Sequence, residues 1–353
     1  MKISRPTPKE LGYRFPAEFE FHAATWLSWP HKEESWPGKI ESIFPSYCRF
    51  IGELSQRETV HINVGDENMK AFALGKIQDT AAQLDNIRFH THPTNDAWCR
   101  DHGPAFLINP GAAQPLIIID WNYNAWGNKY PPFDLDDRIP TLIASTYQVP
   151  VLYPDIIMEG GSVDFNGKGT LITSESCLLN PNRNPMLSRQ GIESYLEAFY
   201  GVDQVLWVKD GIVGDDTDGH IDDTVRFVNE DTVLAVRGED RSDPNYSILE
   251  QIHRDLKSMR LLNGKQLNIV DLPMPEKVIY EGQVLPASYA NFYIANGLVV
   301  VPTFRCDRDE KALSIIQQCF PDRKVVGIDS TDIIWGLGSF HCLSQQEPAL
   351  PPV

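Results

Sequence analysis

The chain has 353 residues, 42% of them hydrophobic and 22% charged, with a formal net charge of −17. These proportions describe an ordinary folded protein, and the acidic excess argues against a nucleic-acid partner, whose phosphates need clustered Lys and Arg. A cationic partner suits it better, and the longest apolar runs, such as "NGLVVVPTF" and "QPLIIID", fall well short of the roughly 20 residues that cross a bilayer.

The start, "MKISRPTPKELGYRF", lacks the apolar core of a signal peptide, so a cytoplasmic location is expected. Cys48, Cys99, Cys177, Cys306, Cys319 and Cys342 are scattered without a CxxC pair. Reduced thiols follow, with neither disulfides nor a zinc ribbon.

In chain order, a helix is predicted around residues 41–56. Four later segments each read as two β-runs joined by a turn: "GPAFLINPGAAQPLIIID" (103–120), "GGSVDFNGKGTLIT" (160–173), "GHIDDTVRFVNEDTVLAV" (219–236) and "SYANFYIANGLVVVP" (288–302). They break at Asn109, Asn166, Asn229 and Asn296, and Asn and Gly tolerate the positive φ of hairpin turns. Helices follow three of the hairpins. Ser188 opens one, with Ile192, Leu196 and Phe199 on a face, and Pro244 opens another, with Ile248, Ile252, Leu256 and Met259. Asp307 and Glu310 form a capping-box pattern before Leu313, Ile316 and Cys319. With a last hairpin entry at "GSFHC" (338–342), about five units recur every roughly 50–70 residues. No linker divides them, so a single domain over 1–353 is expected. The first dozen residues and "EPALPPV" read as irregular ends.

Residues capable of chemistry sit at the hairpin entries. Asp101 precedes Gly103, Glu159 precedes Gly160, His220 and Asp222 follow Gly219, and Cys342 follows Gly338. If the units are related by rotation, these positions converge, and Cys, His, two Asp and a Glu in one cavity would be a catalytic constellation. Taken singly, each has an ordinary reading: a turn carboxylate is usually a cap or a solvated charge, and a cysteine is usually a small hydrophobe. His341, beside Cys342, alternates to the opposite face of a strand and reads as a packing or surface histidine. "GDDTDGHIDDT" (214–224) lacks the spacing and closing Glu of a calcium loop, and no metal is expected there.

Seven motifs in order, "PAEFEFHAATWLSWPH", "NDAWCRDHGPAFLIN", "EGGSVDFNGKGTLIT", "CLLNPNRNP", "DDTDGHIDD", "ASYANFYIANGLVVVP" and "HCLSQQEP", cover nearly the whole chain. Together they resemble the agmatine deiminases and bacterial peptidyl-arginine deiminases of the guanidino-group-modifying (pentein) superfamily. The resemblance implies an α/β fold, a five-bladed α/β propeller of ββαβ repeats. It also implies Cys342 as nucleophile, His220 as general acid and base, and Asp101 and Asp222 as the grip on the guanidinium. Glu159 would support the histidine, Asp216 would lie near the substrate's far amine, and Trp98 with Trp121 and Trp126 of "WNYNAWG" would wall the site. No metal or organic cofactor is implied, and homodimerisation stays open.

The residue types suit that chemistry. A guanidinium is planar and cationic, so paired carboxylates hold it and a soft thiolate attacks its carbon. Agmatine, with an amine at its far end, is the expected substrate and N-carbamoylputrescine the product. The alternative, free or peptide C-terminal arginine converted to citrulline, calls for a basic anchor in the pocket, with Arg183 or Arg226 as candidates. A catalytically silent guanidine-binding propeller is the reading from another class.

Overall fold

A computed structural model of the chain describes residue 3 and residues 5–350. Four three-stranded sheets share one pattern. Ala105–Ile108 pairs antiparallel with Leu116–Ile119, Val163–Phe165 with Thr170–Ser174, Val225–Phe227 with Thr232–Arg237, and Tyr293–Ala295 with Leu298–Thr303. From each second strand the chain crosses through a helix, namely Ile139–Tyr147, Arg189–Tyr200, Asn245–Ser258 or Asp309–Cys319, to a third strand parallel to it. Parallel neighbours require such a crossover.

The fifth sheet joins both ends of the chain. Ser344–Pro348 pairs antiparallel with His22–Ser28, which lies parallel to Thr59–Val64, itself parallel to Ile87–Thr91. Helix Ile40–Ser55 makes the crossover. "GSFHC" therefore leads into a strand but opens no hairpin, because the antiparallel partner of Ser344–Pro348 lies at the other end of the chain; the amides of Ser339, His341 and Cys342 point at the Asn291 side-chain oxygen. Part of "EPALPPV" is regular, since Glu347 and Pro348 belong to the last strand. Residues 1, 2, 4 and 351–353 of the two expected irregular ends lie outside the described residues.

The turn asparagines work through their side chains rather than through positive φ. Asn166 Oδ1 accepts from the Lys168 and Thr170 amides at 2.8 and 3.0 Å, and Asn229 Oδ1 from the Asp231 and Thr232 amides at 3.1 and 2.9 Å. Such Asx contacts satisfy the turn locally, and positive φ falls on Gly167, Gly169 and Gly297.

Helix Arg189–Tyr200 starts where Ser188 Oγ accepts from the Gly191 amide at 3.2 Å. It buries Ile192, Leu196 and Phe199, each contributing about 1.5–3 kcal/mol. Gly201 ends it at φ 73°, where a Cβ would lie 2.3 Å from the Tyr13 carbonyl oxygen. The capping box expected from Asp307 and Glu310 does not form. Asp309 opens that helix, and its carboxylate turns back to the Phe304 and Cys306 amides at 3.1 and 3.2 Å. All six cysteines are free, and among the described residues no helix is long and apolar enough to cross a membrane.

Candidate active site

Three of the sheets begin with one short helical turn before the first strand. Asp101 lies on the turn Cys99–His102, Glu159 immediately precedes Gly160–Ser162, and His220 immediately precedes Ile221–Asp223, which carries Asp222. Cys342 occupies the corresponding turn before Ser344–Pro348. Repetition of one local structure thus delivers the polar side chains to one region.

There an open cavity of about 850 Å³ is lined by Trp98, Asp101, Trp126, Tyr130, Asp216 and Cys342, among others. His220, Asp222 and Glu159 stand behind this lining rather than on it. Cys342 Sγ lies 3.6 Å from Asp222 Oδ2, His220 Nδ1 lies 3.8 Å from Asp101 Oδ1, and His220 Nε2 lies 3.3 Å from Glu159 Oε2. Asp101 accepts from the Gly161 amide and from Trp126 Nε1, both at 2.9 Å. A Cβ on Gly161 would sit 2.5 Å from His220 Nδ1 and 3.0 Å from Asp101 Oδ1, so only glycine lets the strand entry pass this pair.

Burial and charge set the protonation of these groups. Burial, with Asp222 and Glu159 nearby, outweighs His220 and raises the Asp101 carboxyl to about 6. Burial opposes a charged Asp222, yet the His341 hydrogen bond and charge hold its carboxyl below the ordinary value. Burial likewise opposes a charged Glu159, and Arg183 with His220 overcomes it. Burial opposes a charged His220, yet Asp101, Cys177 and Glu159 together raise it well above the usual imidazole range. Burial plus Asp222, Asp223 and Asp101 push the Cys342 thiol well up. His220 Nδ1 and Asp222 Oδ1 are buried without a hydrogen-bond partner. Native structures leave few such atoms, and here both belong to the site.

Four sequence readings change. Trp121 does not wall the cavity; it packs on Phe199 and Tyr200, with ring centroids 5.6 and 5.1 Å away, because the strand end turns it into the helix-covered core. His341 is neither surface nor plain packing. It is buried, with Nδ1 2.6 Å from Asp222 Oδ2 and Nε2 2.7 Å from Glu18 Oε2. Arg183 and Arg226 are not anchors in the pocket. Arg183 Nε binds Glu159 Oε1 at 2.7 Å and Arg226 Nη2 binds Glu18 Oε1 at 3.0 Å, each buried to neutralise a carboxylate.

Sequence reasoning also passed over Glu18, Cys177 and Asn291. Glu18 is a lone buried carboxylate of "PAEFEF" that meets Arg100, Arg226 and His341. Cys177, His220 and Glu159 place donor atoms within 4.8 Å of one another, a spacing a metal could use. The Arg183 guanidinium on Glu159 opposes a second cation there. Among these residues the only advance signal was a polar group embedded in an apolar run.

The model of the Porphyromonas-type peptidyl-arginine deiminase family matches residues 14–348. A Legionella pneumophila (strain Paris) protein provisionally named agmatine deiminase is 36% identical over 348 residues, 97% of each chain. The solved agmatine deiminase of Enterococcus faecalis superposes with a TM-score of 0.91 at 32% identity, covering 99% of each chain. A cysteine-to-serine variant of C. jejuni agmatine deiminase, solved with substrate bound, gives 0.86 at 30% identity, covering 95% of this chain and 96% of that one. With a match over nearly its whole length and relatives above 30% identity, the chain belongs to the Porphyromonas-type peptidyl-arginine deiminase family.

Proposed function

We propose that this chain hydrolyses agmatine to N-carbamoylputrescine and ammonia through a covalent intermediate on Cys342, as one catalytic domain built as a five-bladed pentein propeller. Relatives named agmatine deiminase, aligned over nearly the whole chain, support the reaction. Five sheets, each with one antiparallel pair and at least one parallel crossover, support the propeller. The observation that carries the reading is Cys342 flanked by Asp101 and Asp222, with Asp222 Oδ1 buried and unpartnered. A planar cation with paired N–H edges satisfies those oxygens, while a neutral ligand leaves buried charge uncompensated.

In this mechanism the substrate's positive charge offsets the carboxylates that raise the thiol, and Cys342 releases its proton to solvent through the open cavity as its sulfur attacks the guanidinium carbon. The new C–S bond gives a tetrahedral centre. His220, raised and therefore protonated at rest, gives a proton to the departing nitrogen, which leaves as ammonia and takes the C–N bond pair. Water attacks the remaining S-alkylthiouronium and gives one proton to His220; the C–S bond then breaks with its electron pair returning to Cys342, which takes up the hydroxyl proton as the ureido product is released. No metal or organic cofactor enters these steps.

One wall of the cavity favours an amine at the far end. Contacts run from Asp101 through Trp126, whose ring centroid lies 5.7 Å from that of Tyr130, to the Tyr130–Asp216 hydrogen bond. A carboxylate at that end suits agmatine's ammonium and repels the carboxylate of arginine. Lys32, the lysine on the lining, already faces Asp96 at 3.5 Å.

Ammonia release from agmatine, arginine and arginine-terminated peptides, measured with wild type and Cys342→Ser, tests the reading. Turnover of agmatine that disappears in Cys342→Ser is expected. Citrulline from arginine as the preferred product would overturn the substrate, full turnover by Cys342→Ser the covalent step, and binding without release the enzyme itself.

A further inference from the structure

Asn291 lies just before the strand Tyr293–Ala295 and is buried. Its Oδ1 accepts from the amides of Ser339 and His341, each at 3.2 Å, and of Cys342 at 3.3 Å. Three N–H groups can meet only an oxygen, so they fix which way the amide faces. Its Nδ2 is thereby aimed at Cys342 Sγ and Asp223 Oδ1, both 3.0 Å away.

The charged groups facing the sulfur from the neighbouring elements are negative: Asp222 at 3.6 Å and Asp223 from the 221–223 turn, and Asp101 from the 99–102 turn. The His341 ring is directed at Asp222, 2.6 Å from its Oδ2, and not at the sulfur. An N–H in contact with Sγ works in the opposite sense, because a hydrogen bond to the charged form favours that form.

We infer that Asn291 is a positioning residue with two tasks: its oxygen builds the turn that presents Cys342, and its N–H holds the sulfur as a thiolate during attack. The inference rests on the proposed role of Cys342 as nucleophile. It assigns catalytic weight to a residue 51 positions from the cysteine, one the motifs alone present as a strand-entry asparagine.

The test alkylates Cys342 with iodoacetamide across a pH series in the full chain, reading the labelled peptide by mass spectrometry, with thermal unfolding and ammonia-release kinetics alongside. Asn291→Asp keeps the oxygen for the three amides and removes the donor; Asn291→Ala removes the donor without adding charge and carries the test if Asn291→Asp does not fold. A hydrogen bond to a charged group, about 1.5–3 kcal/mol at ~1.4 kcal/mol per tenfold, predicts alkylation about 10- to 100-fold slower below the plateau pH. The kcat should fall in step while KM changes little. A folded variant with the wild-type alkylation profile overturns the inference, including one that merely melts earlier. Alkylation does not depend on turnover, so ammonia release that survives Cys342→Ser would overturn the proposed function while leaving the Asn291 result readable.

Discussion

Replacing His341 by Leu isolates the part this buried imidazole plays. Its two nitrogens meet Asp222 Oδ2 at 2.6 Å and Glu18 Oε2 at 2.7 Å, so one ring bridges two buried carboxyl groups. Glu18 keeps other donors in the variant: Ile294 N at 2.8 Å, Arg226 Nη2 at 3.0 Å and Arg100 Nη2 at 3.2 Å. Asp222 keeps only the Cys342 thiol, at 3.6 Å. The loss therefore falls on Asp222, and removing one partner of a buried charged pair costs about 3–5 kcal/mol. In wild type the Asp222 carboxyl is held below its ordinary 3.8, so its contribution to stability is complete above that value and is lost as pH falls through the lower folded value. Without His341, burial raises the carboxyl, and the loss begins at higher pH. A neutral Asp222 grips a guanidinium poorly, so kcat/KM at neutral pH should fall about 100-fold, the equivalent of ~2.7 kcal/mol. Raising the pH should recover part of it. Ammonia-release kinetics over a pH series, with urea unfolding in parallel, make the measurement. A folded His341→Leu protein with wild-type kcat/KM and an unmoved acid limb would refute the reasoning.

Three further outcomes follow from the site. The kcat/KM for agmatine should decline as pH falls through about 6, where Asp101 takes a proton and stops accepting from a cation; a flat profile down to the ordinary carboxylate range counts against Asp101 as a contact. Trp126→Phe removes the 2.9 Å donor to Asp101 and should cost about 10–100-fold in kcat/KM, the worth of a hydrogen bond to a charged group, whereas Trp121→Phe should leave steady-state kinetics alone. Comparable losses from the two would contradict the placement of Trp121 in the core. Arg183→Met leaves the fully buried Glu159 carboxylate with His220 as its remaining charged partner and should lower the free energy of unfolding by about 3–5 kcal/mol; a urea midpoint within error of wild type would exclude that ion pair as a support.

The local signals that did work are those whose physics is local. Helix Arg189–Tyr200 was legible from Ser188 and the spacing of Ile192, Leu196 and Phe199, since capping and a one-sided apolar face act within a few turns. The helix Ile139–Tyr147 has no side-chain cap and went unread, although Pro140 in its first turn is the kind of start signal that Pro244 supplied. Asp309 shows why a capping pattern can mislead, because its carboxylate found backbone amides in the preceding loop first.

By itself, the sequence determined the recurring strand–turn–strand–helix units and the placement of one reactive residue type at each entry, because hydrophobic period and turn chemistry are written in neighbouring residues. Only the tertiary structure decided how those entries are wired. Glu18 meets Arg226 and His341 across separations of 208 and 323 residues, and Asn291 meets Cys342 across 51. Nothing in the local pattern around His341 distinguishes a surface imidazole from one bridging two buried carboxylates. That depends on where the chain's two ends pair, and so on the free energy of the whole fold rather than of any one segment.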